Sequence, residues 1–187
     1  TDTTITGSGH DFVGGMFGRF GAGYYTEACM VVHSCYTDVV ISLSQGDVVG
    51  GFVGTTLMAT IISCYATGDI TLNGATQEET GGFVGKTNDS LLIDCYSTGN
   101  ISITCKSAKY IGGFAGSLIF DIQSNNYLLR CYSTGSITIA ATNQYSFDLD
   151  RIGGFAGNLD VQENYGYPNS IQRCWTESDI VVTVDYP

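Results

Sequence analysis

The sequence predicts an all-β fold, a right-handed parallel β-helix (β-solenoid) of about five coils with little or no helix. Three observations predict it. A glycine-rich pentapeptide recurs five times: GGMFG at Gly14, GGFVG at Gly50 and Gly81, and GGFAG at Gly112 and Gly153. A second motif follows each copy: CYTDVVISL from Cys35, CYATGDITL from Cys64, CYSTGNISI from Cys95, CYSTGSITI from Cys131 and CWTESDIVV from Cys174. Finally, the residues between them are short β-branched or aromatic runs bounded by Gly, Asn, Asp or Thr, with no sustained 3.6-residue period. A repeat of about 30 residues holding roughly three short strands cannot bury its apolar side alone and must stack on its neighbours.

The elements follow from aligning the repeats. One domain is expected over residues 1–187, with coils beginning near Gly14, Gly50, Gly81, Gly112 and Gly153. The pentapeptide glycines are expected to permit positive φ or close approach of adjacent coils. Met16, Phe52, Phe83, Phe114 and Phe155 align as an inward ladder. The strand after the cysteine places Ile41, Ile70, Ile101, Ile137 and Ile180 in one column. Two residues on comes a second column: Leu43, Leu72, Ile103, Ile139 and Val182. Ser42, Thr71, Ser102, Thr138 and Val181 lie between them and face outward, the period of a half-buried strand. From glycine motif to cysteine the gap is 14 residues in the second and third coils, but 21, 19 and 21 in the first, fourth and fifth. The extra residues must leave the stack as loops.

Composition narrows the class. Charged residues are 13% of the 187, and 18 acids against 7 bases give a net charge of −11. That excludes a nucleic-acid partner, which needs clustered Lys and Arg. No apolar window is long enough to span a membrane. Few Lys and many Thr, Ser and Asn suit an extracellular or cell-surface protein. No initiator Met or signal peptide precedes Thr1, so a processed or trimmed start is expected.

The pairing of GGFVG or GGFAG with a CYSTGxI-type strand resembles the GLUG motif of bacterial surface proteins, over about residues 12–182. This chain has Phe or Met where that motif is usually written with an aliphatic residue. The resemblance implies a repeat architecture of the kind found in large secreted adhesins and beside the peptidase domains of immunoglobulin A-cleaving metalloproteases. It implies no catalytic residue.

Of seven cysteines, Cys35, Cys64, Cys95, Cys131 and Cys174 share one column. They read as small buried hydrophobes, although adjacent coils are close enough for disulfides and Cys29 could meet Cys35. No Cys/His spacing suggests zinc, and no cofactor is expected. Converging carboxylates are the requirement for a polysaccharide-acting enzyme; Asp148, Asp150, Asp160 and Glu163, in or near the long insertions, read instead as surface acids. Their ligand density is also low for calcium. His10 and His33 show no Ser or Cys partner, so no catalytic residue is nominated.

Thr67, Thr98 and Thr134, with Thr71 and Thr138, form short hydroxyl ladders of the kind an ice-binding surface would use, but these break at Asp38, Glu177 and Val181. The column Tyr36, Tyr65, Tyr96, Tyr132 and Trp175 neighbours the inward cysteines and should point outward. It is the candidate ligand-binding stripe for glycans or a host or cell-surface protein. No amphipathic helix caps either end, so the terminal coils are expected to be open. The expected function is that of an extracellular, non-enzymatic fibre subunit whose partner is itself, stacked head to tail. The alternative is an adhesin or carbohydrate-binding segment of a larger surface protein.

Overall fold

The computed structural model describes residues 3–22, 30–74, 76–120, 127–141, 148–161 and 170–184. Each coil is five-sided. In the second coil the sides are the strands Gly46–Gly50, Val53–Leu57, Ala59–Ile62, Tyr65–Ala66 and Ile70–Asn73. Each side pairs in parallel with its counterpart one coil away, which builds five parallel sheets, numbered here 1 to 5 in that order. No helix occurs among the described residues. The chain is a parallel β-solenoid.

The sequence alignment is the structural register. Ile70 pairs with Ile101, Ile101 with Ile137 and Ile137 with Ile180 in sheet 5. Tyr65, Tyr96, Tyr132 and Trp175 follow one another in sheet 4. Five strands per coil replace the three expected, because the pentapeptide itself lies between two strands. Sheet 1 runs into its first glycine and sheet 2 leaves from its fourth residue. Propensity disfavours glycine in strands, which hid both from the sequence. Additionally, Thr4–Gly7 is a sixth strand of sheet 5, pairing with Val40–Leu43 and setting Ile5 beneath Ile41. The extra residues of the first, fourth and fifth coils fall largely on 23–29, 121–126 and 162–169, outside the described residues.

The core has two lobes. One lies inside sheets 2, 3 and 4 and contains Phe52, Phe83 and Phe114 with Ile61, Leu92, Leu128 and the cysteine column. The other lies between sheets 5 and 1 and contains the two aliphatic columns with Val13, Val49 and Ile111. Phe52, Phe83, Phe114 and Phe155 stack with centroids 4.9, 5.0 and 5.0 Å apart and planes within 6° of parallel. Met16 is not part of this ladder. Its amide donates to Phe52 O at the expected register, but no coil lies beneath it and its side chain is exposed. Phe17 instead closes the stack, edge-on to Phe52 at 6.0 Å.

The pentapeptide glycines are required by close approach, not by positive φ, which among the described glycines occurs only at Gly9 and Gly21. A Cβ on Gly50 would lie 2.1 Å from Val53 O, and one on Gly51 would lie 2.1 Å from Gly82 O of the next coil. The left-handed conformation is used elsewhere. Ser34, Ser63, Asp94, Arg130 and Arg173, each directly before its column cysteine, have φ of 53–54°. This corner turns sheet 3 into sheet 4.

Candidate functional site

The cysteine column is a structural element. Among the described residues, Cys35, Cys64, Cys95, Cys131 and Cys174 form no disulfide, and neither does Cys105. Cys29 lies outside the described residues. Each column thiol sits over the preceding strand; Cys64 Sγ, for example, donates to Ile62 O at 3.2 Å. Burial pushes the Cys64 and Cys105 thiols up. At Cys131 a hydrogen bond with Cys174 pulls the pKa down, but the Cys95 thiol and burial outweigh it and push it up to about 12. Cys174 is raised by its bond to Cys131 and then by burial. Such thiols stay protonated and are poor nucleophiles.

His33 gains a neighbour the sequence reading did not give it, since Ser34 Oγ lies 2.6 Å from its Nδ1. No carboxylate joins the pair among the described residues, and the His10 side chain lies outside them. Asp148 and Asp150 are in a strand of sheet 1 rather than a loop, with Lys109 Nζ at 3.3 Å and Arg151 Nε at 3.7 Å respectively. Asp160 is in sheet 2, and Glu163 lies outside the described residues. Among the described residues no three His, Cys, Asp or Glu side chains gather as a metal site, and no helix is long and apolar enough to cross a membrane.

The Tyr36, Tyr65, Tyr96, Tyr132, Trp175 column does face outward, and its rings are stacked. Centroids are 5.1, 4.8, 4.8 and 4.5 Å apart with planes within 9° of parallel. Sugars recognise aromatic rings through an open face, and in this stack the internal faces are filled by the next ring. What the column offers to a ligand is ring edges, a row of phenol hydroxyls, and the outer faces of exposed Tyr36 and Trp175 at its two ends. Burial, then neighbouring Tyr132 and Tyr65, raise the Tyr96 pKa.

A second outward feature was not singled out from the sequence. The residue two before each pentapeptide and the residue directly after it face each other across the corner between sheets 1 and 2. The pairs are Phe12 with Arg19, Val48 with Thr55, Glu79 with Lys86, Tyr110 with Ser117 and Arg151 with Asn158. Two of these pairs make direct bonds across the corner: Lys86 Nζ to Glu79 Oε1 at 2.8 Å, and Arg151 Nη1 to Asn158 Oδ1 at 3.1 Å. The Arg151 guanidinium also lies 5.1 Å from the Tyr110 ring centroid, a cation–π distance. The second members stack in register along sheet 2: Arg19 on Thr55, Thr55 on Lys86, Lys86 on Ser117, Ser117 on Asn158. The corner forms a groove in two stretches: Phe12, Arg19, Val48, Thr55, Glu79 and Lys86 line the first, and Arg151 and Asn158 the second, with Ser117 buried between them. The signal in the sequence was the fixed seven-residue spacing around each GGFxG.

Residues 46–71 match the family model described as the GLUG motif. That span begins with the second coil's sheet 1 strand, includes its GGFVG and CYATGDIT segments, and stops inside its sheet 5 strand. No curated protein and no solved structure matches the chain.

Proposed function

We propose that this chain is a non-catalytic structural module of a secreted or cell-surface assembly, and that copies stack end to end through the open face of the last coil. The observation that carries this reading is the exposure of the core columns there. Leu159, Ile171, Ile180 and Val182 are 52, 39, 43 and 43% exposed, whereas Leu118, Leu128, Ile137 and Ile139 one coil earlier are all 0%. An apolar cross-section with unpaired strand edges is the surface that a further coil covers. The occupant we assign is the first coil of a second copy, whose strands offer the same five sheets. A head-to-tail contact of this kind does not close and builds a filament.

Light scattering and electron microscopy of the purified chain test this. The expected result is linear assemblies with an axial repeat of roughly 29 Å, the six strand layers of sheet 5 at about 4.8 Å each. Val182→Lys and Leu159→Lys, both on the open face, should return the protein to folded monomers. Monodisperse wild-type protein at millimolar concentration would overturn the proposal. A second reading, an adhesin or carbohydrate-binding segment, is favoured by the polar groove between sheets 1 and 2.

A further inference from the structure

We infer that the groove between sheets 1 and 2 is a binding site for an extended acidic glycan carrying about one carboxylate per disaccharide. This rests on the second reading above and identifies its site and ligand class; its last-coil stretch borders the open face at Leu159. The first argument is spacing. The groove holds three of the chain's seven Lys and Arg residues, namely Arg19 in the first coil, Lys86 in the third and Arg151 in the fifth. Arg19 and Lys86, both on the sheet 2 wall, are two coils and so about 10 Å apart, twice the inter-strand distance, and Arg151 lies two coils further along on the facing sheet 1 wall. That two-coil spacing is close to the length of one disaccharide in an extended β-linked chain, so successive carboxylates of such a chain fall opposite successive cations.

The second argument is hydrogen-bond capacity. Arg19 has no hydrogen-bond or ion-pair partner among the described residues, in a protein of net charge −11. Lys86 uses one of its three donors on Glu79. Arg151 uses one amino nitrogen on Asn158 and has its Nε 3.7 Å from Asp150, which leaves its second amino nitrogen as the donor for a carboxylate.

Space is present at both ends of the groove. A cavity of about 360 Å³ is lined by Phe12, Arg19, Thr55, Glu79, Lys86 and Asn88, and a second of about 500 Å³ by Arg151, Asn158 and Asp160. The exposed Phe12 ring and the Tyr110 ring supply apolar surface for the sugar's C–H faces.

The mixed inventory distinguishes a glycan from other polyanions. Glu79 and Asp160 accept hydrogen bonds from hydroxyls, which a sugar chain carries on every ring. A nucleic acid carries a phosphate every few ångströms and would set these two acids against charge rather than hydroxyl. Sparse carboxylates among many hydroxyls satisfy both halves of the groove.

The test is isothermal titration calorimetry at low salt with a hexasaccharide of alternating uronic acid and N-acetylhexosamine, against the same hexasaccharide with its carboxyls reduced to alcohols. The acidic form is expected to bind, to weaken as sodium chloride is added, and to lose about tenfold in affinity in Arg19→Gln and again in Arg151→Gln, the worth of one charge-assisted hydrogen bond each. Arg19 has no partner to strand among the described residues, so its replacement is expected to leave the melting temperature unchanged. Arg173→Gln, the same charge change at the corner between sheets 3 and 4, should bind as wild type. Equal affinity for the reduced hexasaccharide would keep a carbohydrate-binding reading but overturn the acidic-glycan assignment. Absence of binding by both, or unchanged binding in both arginine variants, would overturn the site itself.

Discussion

Phe83→Ala tests whether the inner aromatic ladder couples the coils. Phe83 is fully buried, with Phe52 at 4.9 Å on one face and Phe114 at 5.0 Å on the other. Truncating a buried Phe costs about 3–5 kcal/mol through lost transfer energy and the cavity left behind. Losing two stacked faces adds about 0.5–1.5 kcal/mol for each, so a total of about 6 kcal/mol is expected. Phe155 is half-buried and, among the described residues, stacks on Phe114 alone, so Phe155→Ala should cost about 2 kcal/mol. Urea unfolding measured by far-ultraviolet circular dichroism and by fluorescence of the single tryptophan, Trp175, reads the two values. In a solenoid, stability is a sum of coil and neighbour-contact terms. Weakening the central contact should therefore separate the two transitions, since Trp175 reports only the last coil. If Phe83→Ala leaves too little folded protein, Phe83→Leu preserves most of the volume and should cost about 1–1.5 kcal/mol. Should Phe83→Ala cost no more than Phe155→Ala, the ladder is not what joins neighbouring coils.

Two further outcomes follow from the backbone and the thiols. Ser63 is exposed and held at a φ of 53°. Ser63→Gly removes a left-handed penalty of about 1 kcal/mol, partly offset by glycine's greater unfolded freedom, for a net gain of roughly 0.5 kcal/mol and a melting temperature higher by about 1–2 °C; a lower melting temperature would contradict the strain argument. The raised thiols make stability fall in alkali. A group whose folded pKa lies above its unfolded one is stabilising below the unfolded value, about 8.5 for cysteine. That contribution drains away as pH rises through the folded value, pushed up to about 12 for Cys131. Melting temperatures should therefore drop progressively between these limits. Tyr96 acts in the same direction, so the diagnostic result is a shallower slope in Cys131→Ala, and an unchanged slope would count against the thiol assignment.

The repeated inward positions were legible because a parallel stack in register turns repeat alignment into a list of contacts. Ile41, Ile70, Ile101, Ile137 and Ile180 could be placed one above another from the sequence, and they pair so. Three features were not legible, each for a physical reason. Two of the five sides of a coil abut the glycine pentapeptide, and glycine gives no strand signal although close approach demands it there. The left-handed corner is filled by Ser, Asp and Arg, so conformation repeats at a position where residue type does not. Met16 aligned with the phenylalanines, but burial depends on a neighbour on each side, which an alignment column does not record at its end.

The same reasoning separates the two outward features. A coil has to match its neighbour where side chains touch between coils, and is free to differ elsewhere. The tyrosine column is outward yet repeated, and its own ring stacking accounts for the repetition without a ligand. The groove column Phe12, Val48, Glu79, Tyr110, Arg151 repeats in position but not in chemistry. Ring stacking does not account for that variety, and neither does the hydrogen-bond ladder of the backbone, which any side chain there would permit. In a solenoid, an outward column that differs from coil to coil is where one coil can be told from another. Under the acidic-glycan proposal, a ligand longer than one coil would read that difference as a sequence of sites, with Arg19 and Lys86 on one wall of the groove and Arg151 on the other.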